Sequence, residues 1–123
     1  MPLTIKPDLP TIPFASRGTW EAWLEEHHAV SDGLWLKIAK KESGIETVSY
    51  AEAIEAALCY GWIDSQAASF DGRYWLQRFT PRRPGSKWSK VNRQKAIKLI
   101  EAGGMKPAGL REIERAKSDG RWN

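Results

Sequence analysis

Residues 62–80 of the chain, WIDSQAASFDGRYWLQRFT, contain two potential strands on either side of Asp71-Gly72. An Asp-Gly pair between two such runs is among the strongest short-range signals of a β-hairpin. A two-residue turn would set three pairs opposite one another: Phe70 and Arg73, Ala68 and Trp75, and Ser65 and Arg78. The small side chain of Ala68 beside the large one of Trp75 would pack well. The sequence therefore predicts a hairpin at this place.

The segments before the hairpin predict a helix, a strand and a second helix. Thr19 can cap the first helix, whose apolar stripe begins at Trp20. Residues 34–39, LWLKIA, predict a strand with Leu34, Leu36 and Ile38 on one face. Ser49 and Glu52 form a capping box, in which each side chain bonds to the backbone of the other residue, and this predicts the start of the second helix.

The segments after the hairpin predict a loop and two helices. Residues 81–85, Pro-Arg-Arg-Pro-Gly, cannot form regular structure because two prolines and a glycine interrupt them. Either Ser86 or Ser89 can cap the helix that follows. Pro107 is suited to the first turn of a final helix.

These elements together predict an α+β fold. We expect a single compact domain with a small antiparallel sheet of about three strands, including the β-hairpin, packed against about four helices. Residues 1–13 contain four prolines and little periodicity, so we expect an extended Pro-rich N-terminal arm. The domain itself would span residues 14–123.

The composition fits an ordinary folded protein, with 41% hydrophobic and 28% charged residues in 123. The start does not resemble a signal peptide and no apolar run is long enough to span a bilayer, so we expect a cytoplasmic protein without membrane insertion. A single cysteine, Cys59, excludes an internal disulfide, and His27-His28 lacks a third metal ligand. We predict no cofactor and no metal site, and the sequence makes no prediction about oligomeric state.

The charge of the chain is segregated. Of 19 basic and 15 acidic residues in all, nine basic ones and no acidic one lie in residues 72–100. Guanidinium groups bind phosphate or carboxylate in a bidentate manner, and a helix N-terminus near Ser86 would add backbone donors. The segment therefore predicts an anion-binding groove. The alternative is a solvated basic face in which Arg78 pairs with an internal carboxylate.

The candidate ligand-binding residues lie in and around this segment. They comprise possible aromatic walls, cationic partners and polar groups: Trp62, Trp75 and Trp88; Arg78, Arg82 and Arg83; and Asp64, Ser86 and Asn92. Asn92 falls on an otherwise apolar helix face, so its amide either ties the preceding loop to the helix or faces a ligand. Asp64 either satisfies turn amides, anchors an arginine, or serves as a base. No residue is assigned a catalytic role.

Two motifs carry a family resemblance. They are residues 57–64, ALCYGWID, and residues 78–83, RFTPRR, followed by SKWSKVN at residues 86–92. On these motifs, and across roughly residues 14–122, the chain resembles the YdeI/OmpD-associated family of bacterial proteins. The resemblance implies an association with bacteriocin protection and envelope stress. It implies no particular reaction, cofactor or catalytic residue.

The sequence thus favours a non-enzymatic domain that binds an anionic ligand, either a phosphate-bearing molecule or nucleic acid. One alternative is a small enzyme that acts on an anionic metabolite, with Asp64 as the acid or base. Another is a protein-interaction module in a stress response, which would use an exposed aromatic patch to hold a protein partner.

Overall fold

The α+β fold class is confirmed in the computed structural model, which describes residues 9–122. Within that range the chain forms four strands and four α-helices. In chain order they are β1 (Thr11–Pro13), α1 (Arg17–His27), β2 (Leu34–Ala39), α2 (Tyr50–Cys59), β3 (Trp62–Ser69), β4 (Tyr74–Pro81), α3 (Lys90–Glu101) and α4 (Pro107–Ser118), with a 3₁₀ turn at Lys41–Ser43.

The sheet is mixed and has one strand more than predicted. Its order is β1-β2-β4-β3, with β1 parallel to β2 and the other neighbours antiparallel. The extra strand, β1, belongs to the predicted N-terminal arm, where Thr11 pairs with Trp35. Three residues ending in a proline give no local strand pattern, and the pairing depends on a partner far away in sequence. The rest of the predicted arm, residues 1–8, lies outside the described residues.

The predicted hairpin is present, but its turn is one residue longer than the sequence indicated. Ala68 pairs with Leu76 and not with Trp75. The carboxylate of Asp71 accepts the backbone N–H groups of Arg73 and Tyr74 at 2.8 and 2.9 Å. An aspartate that captures nearby amides in this way competes with a two-residue turn, and this explains the shift in register.

Farther from the turn, a β-bulge in β3 restores the predicted register of the two strands. Two residues of β3, Ser65 and Gln66, lie opposite the single residue Arg78 of β4. The amide of the buried Gln77 donates to the backbone carbonyl of Gln66 at 3.0 Å. This bond supplies a partner to a carbonyl in the irregular part of the ladder and so stabilises the bulge.

Serine caps define where three of the helices begin. The capping box at Ser49 is confirmed. Helix α1 begins after Ser16, three residues earlier than predicted, and Thr19 is the other half of its capping box. Helix α3 is capped by Ser89 and not by Ser86, so Trp88 precedes the helix and is not on one of its faces.

The core consists of two apolar clusters that meet at α2. The first lies between α1, α2 and one face of the sheet and contains Trp20 and Trp62. The second joins α2, α3 and α4 around Trp88. Trp122 folds back onto Trp88, with 5.1 Å between the ring centroids. No helix within residues 9–122 has the length and apolar character needed to cross a membrane.

The sheet has a covered face and an open face. In β2, the residues Leu34, Leu36 and Ile38 are buried, while those between them are partly exposed. The strand register places Arg78 beside Trp35 on the open face. The same register places Asp64 beside the buried Phe79 on the covered face. Candidate residues on opposite faces of the sheet cannot line the same groove.

Candidate functional site

An open groove of about 590 Å³ lies between the open face of the hairpin and the loop after β4. We call it the hairpin groove. Its polar lining residues are Ser65, Gln66, Arg78, Thr80, Arg83 and Ser86. Its other lining residues are Ile63, Pro81, Pro84 and Gly85. In the described part of the chain, two arginines and no acidic residue line this groove.

Arg78 lies on the open face with one of its donors unused. Its guanidinium carbon is 5.8 Å from the centroid of the Trp35 ring, and its Nη1 donates to Gln66 Oε1 at 3.4 Å. The Nε–H is buried and has no hydrogen-bond partner. No carboxylate of residues 9–122 forms an ion pair with Arg78, so the predicted alternative of an internal ion pair is wrong. A buried donor without a partner is unfavourable, and the charge of this guanidinium is not neutralised within the described part of the chain.

Hydrogen bonds to the side chain and to the backbone carbonyl of Ser86 fix the loop after β4. Arg82 Nη1 donates to the Ser86 hydroxyl oxygen at 2.9 Å, and Arg121 Nη1 donates to the Ser86 backbone carbonyl at 2.6 Å. At the start of the loop, the backbone N–H of Arg82 donates to the Gly61 carbonyl at 3.1 Å. The exposed Arg83 therefore extends from a loop whose backbone is held in place.

Arg82 does not join Arg78 and Arg83 in the hairpin groove, contrary to the prediction. Its side chain turns into the protein, where the residue is only 6% exposed and its guanidinium carbon is 3.6 Å from the Trp88 ring centroid. Its Nε and Nη2 are buried without hydrogen-bond partners. Burial lowers the pKa of Arg82 to about 10, although Glu112 and Asp64 act in the opposite direction.

Arg82 instead lines a second cavity of about 170 Å³, which we call the α4 cavity. Its charged or polar lining residues are Arg82, His28, Tyr60, Arg111 and Glu112. Its other lining residues are Ala29, Gly61, Trp62, Pro81 and Ala108. The predicted single site is thus divided between two places.

Three further candidates, Trp62, Asp64 and Trp75, lie on the covered face and do not line the hairpin groove. Trp62 is buried in the core and donates its indole N–H to the His28 carbonyl at 3.3 Å. Asp64 accepts a hydrogen bond from the Tyr50 hydroxyl at 2.7 Å. Trp75 packs edge-on against Tyr50, with 5.6 Å between the ring centroids, so neither tryptophan is a wall of the hairpin groove, although Trp62 lines the α4 cavity.

The last two candidates, Trp88 and Asn92, also lie away from the hairpin groove. Trp88 is buried in the second core cluster, and its indole N–H has no partner among the described residues. Asn92 is half-buried in α3, where its backbone N–H donates to Ser89 Oγ at 3.1 Å. Of the nine candidates, only Arg78, Arg83 and Ser86 line this groove.

Three polar groove residues were not among the candidates: Ser65, Gln66 and Thr80. Thr80 is two residues beyond Arg78 on the same strand, and strict alternation would have placed both on one face. Ser65 was predicted opposite Arg78, which already placed it beside the site. Gln66 reaches the groove because of the bulge, for which the sequence contains no local signal.

Chemically, the hairpin groove offers guanidinium, hydroxyl and amide groups, which suit an anion that also carries oxygen or hydroxyl groups. The single thiol of the chain, on Cys59, is buried, and burial raises its pKa. A thiol in such surroundings is unreactive. Among residues 9–122, no group of three or more His, Cys, Asp or Glu side chains could hold a metal ion.

Comparison with known proteins gives one match. No curated protein and no solved structure matches the chain. A family model described as a domain of unknown function, DUF8412, matches residues 12–112. This range contains the whole sheet apart from the first residue of β1, and all the residues that line both cavities. The chain therefore belongs to the DUF8412 family of domains of unknown function.

Proposed function

We propose that the protein is a non-enzymatic binding domain and that its hairpin groove binds a small molecule with a phosphate or carboxylate group. The observation that carries this proposal is the pairing of Arg78 and Arg83 in one groove that no described acidic residue lines. No carboxylate of residues 9–122 forms an ion pair with Arg78, so its charge is available to an anion. Ser65, Ser86 and Thr80 add hydroxyl groups for the neutral part of the ligand.

The size and lining of the groove favour a small molecule over nucleic acid. A volume of about 590 Å³ falls within the range of roughly 300–1,000 Å³ that is typical of small-molecule sites. Recognition of single-stranded nucleic acid usually combines basic groups with aromatic faces on which bases stack. No aromatic side chain of the described residues lines the hairpin groove, because Trp62 and Trp75 lie on the other face of the sheet.

An enzymatic role for Asp64 receives less support from the geometry. Asp64 does not line the hairpin groove, and its carboxylate is engaged by the hydroxyl of Tyr50. The proposed link to bacteriocin protection or envelope stress rests on the resemblance of residues 57–64 and 78–92 to the YdeI/OmpD-associated family. In that setting the bound anion would act as a signal or cargo and not as a substrate.

The proposal predicts that Arg83→Gln weakens the binding of inorganic diphosphate, measured by isothermal titration calorimetry at constant ionic strength. Loss of a hydrogen bond to a charged group reduces affinity by about ten- to a hundred-fold. Lys87→Gln is the matched control, because it removes one positive charge from the same exposed loop outside the groove. It should change the affinity by no more than about twofold, as exposed charge pairs contribute little.

Two results would contradict the proposal. Diphosphate could bind Arg83→Gln as tightly as the wild type, which would remove the groove as the site. The two variants could instead lose affinity equally, which would indicate a general attraction of the basic surface for anions.

A further inference from the structure

The guanidinium of Arg82 is buried without a counter-ion. Only 6% of the residue is exposed, and no carboxylate of residues 9–122 forms an ion pair with it. Nη1 has oxygen acceptors in the loop, but Nε and Nη2 have none. Stacking on Trp88 at 3.6 Å offsets part of the cost of burying this charge, and an anion would compensate the rest.

The α4 cavity places a second cation near this one. Arg111, an exposed residue of α4, lines the same cavity as Arg82. Glu112 is the acidic residue among those that line it, and its carboxylate is engaged with Arg115 at 3.4 Å. Two guanidinium groups and one carboxylate that is already paired leave the cavity with an excess of positive charge.

The first turn of α4 lies at the same place. Helices α1, α2 and α3 each begin with a serine whose side chain accepts a backbone N–H, whereas Lys106, at the start of α4, makes no such bond. Ala108, in the first turn of this 12-residue helix, lines the α4 cavity. The N–H groups and the dipole at a helix N-terminus favour a bound anion.

We propose that the α4 cavity is a second anion site, which holds a carboxylate or phosphate group between Arg82, Arg111 and the first turn of α4. It adjoins a larger recess of about 360 Å³, with which it shares four lining residues including Arg111 and Ala108. Lys106 and Glu25 both line that recess, and the carboxylate of Glu25 accepts a hydrogen bond from the Tyr60 hydroxyl at 2.7 Å. The site is separate from the hairpin groove, since Pro81 is the one residue that lines both.

The test follows backbone amide signals by nuclear magnetic resonance during titrations with inorganic phosphate and, separately, with acetate, at constant ionic strength. In the wild type, the amides of Ala108 and Arg111 should shift along a saturable curve. The anion with the higher affinity identifies the ligand as phosphate-like or carboxylate-like. Arg111→Gln should weaken binding at these amides at least tenfold. Arg83→Gln, an equal loss of charge in the hairpin groove, should leave it unchanged.

Three outcomes would overturn this proposal. The α4 amides could fail to shift with either anion, or could shift equally in the wild type and in Arg111→Gln. Binding could also occur only after Glu112→Gln, which would mean that Glu112 itself compensates the charge of Arg82. Because Arg83→Gln reports on the hairpin groove and Arg111→Gln on the α4 cavity, failure of one site is distinguishable from failure of the other.

Discussion

Arg78 and Arg82 are only four residues apart, but their side chains have different surroundings because β4 ends between them. Arg78 is still within the strand and points to the open face, where it stays partly exposed beside Trp35. Arg82 follows the last residue of the strand, and its backbone is tied to Gly61. Its side chain therefore enters the protein and stacks on Trp88. One basic motif consequently places arginines in two different cavities.

Tyr50 provides a test of the chemistry around Asp64 at the scale of single residues. Burial, and then the hydrogen bond to Asp64, raise the pKa of Tyr50 from 10.0 to about 12. Because the folded-state pKa is the higher one, the folded protein holds this proton more tightly than the unfolded chain does. The stability that results is fully present below pH 10 and is lost as the pH rises through about 12.

We therefore predict that Tyr50→Phe removes a phenol that ionises near pH 12, measured by the tyrosinate absorbance of wild type and variant during an alkaline titration. Asp64→Asn should lower the pKa of this phenol, because the carboxylate that disfavours tyrosinate is gone. A difference curve centred near pH 10 in the wild type would show that the Tyr50 hydroxyl is not bonded to Asp64.

At the scale of elements, local signals were sufficient for some parts of the fold and insufficient for others. Helix α2 begins where its capping box predicts, and β2 has the predicted bounds, because each pattern is complete within a few residues. The strand β1 and the bulge were missed, because both depend on contacts with distant residues. The candidate site was assembled by proximity in sequence, although alternation along β4 already separates Trp75 from Arg78.

The contact between α4 and α2 gives a prediction at this scale. Gly109 is buried, and a β-carbon there would overlap the Cys59 carbonyl oxygen and lie 2.6 Å from Met105 Sδ. Alanine gains about 1 kcal/mol over glycine in helix propensity. Overpacking costs about 1–3 kcal/mol. Because the obstacle is backbone, which yields little, we expect Gly109→Ala to lower the free energy of unfolding, measured with urea.

Gly104→Ala is the control for this change. A β-carbon at Gly104 would have its nearest neighbour, the Leu99 carbonyl oxygen, at 3.9 Å. The free energy of unfolding should then change by no more than about 0.5 kcal/mol. If Gly109→Ala were as stable as this control, the close approach of α4 to the end of α2 would be incorrect, and with it the shape of the α4 cavity.

At the scale of the whole molecule, the segregated charge seen in the sequence becomes several separate surfaces. The nine basic residues of the 72–100 segment are distributed over the hairpin turn, the open face of the sheet, the loop and α3. Only Arg78 and Arg83 of this set converge on the hairpin groove. The net charge of +4 therefore does not indicate where an anion would bind, whereas the placement of these two side chains does.

The central claim is that the hairpin groove binds an anion between Arg78 and Arg83. The most direct test is a crystal structure of the protein with diphosphate, at a concentration well above its dissociation constant in solution. We predict that diphosphate lies in the groove and contacts the guanidinium groups of both Arg78 and Arg83. Diphosphate bound elsewhere, without contact to either guanidinium, would contradict the account.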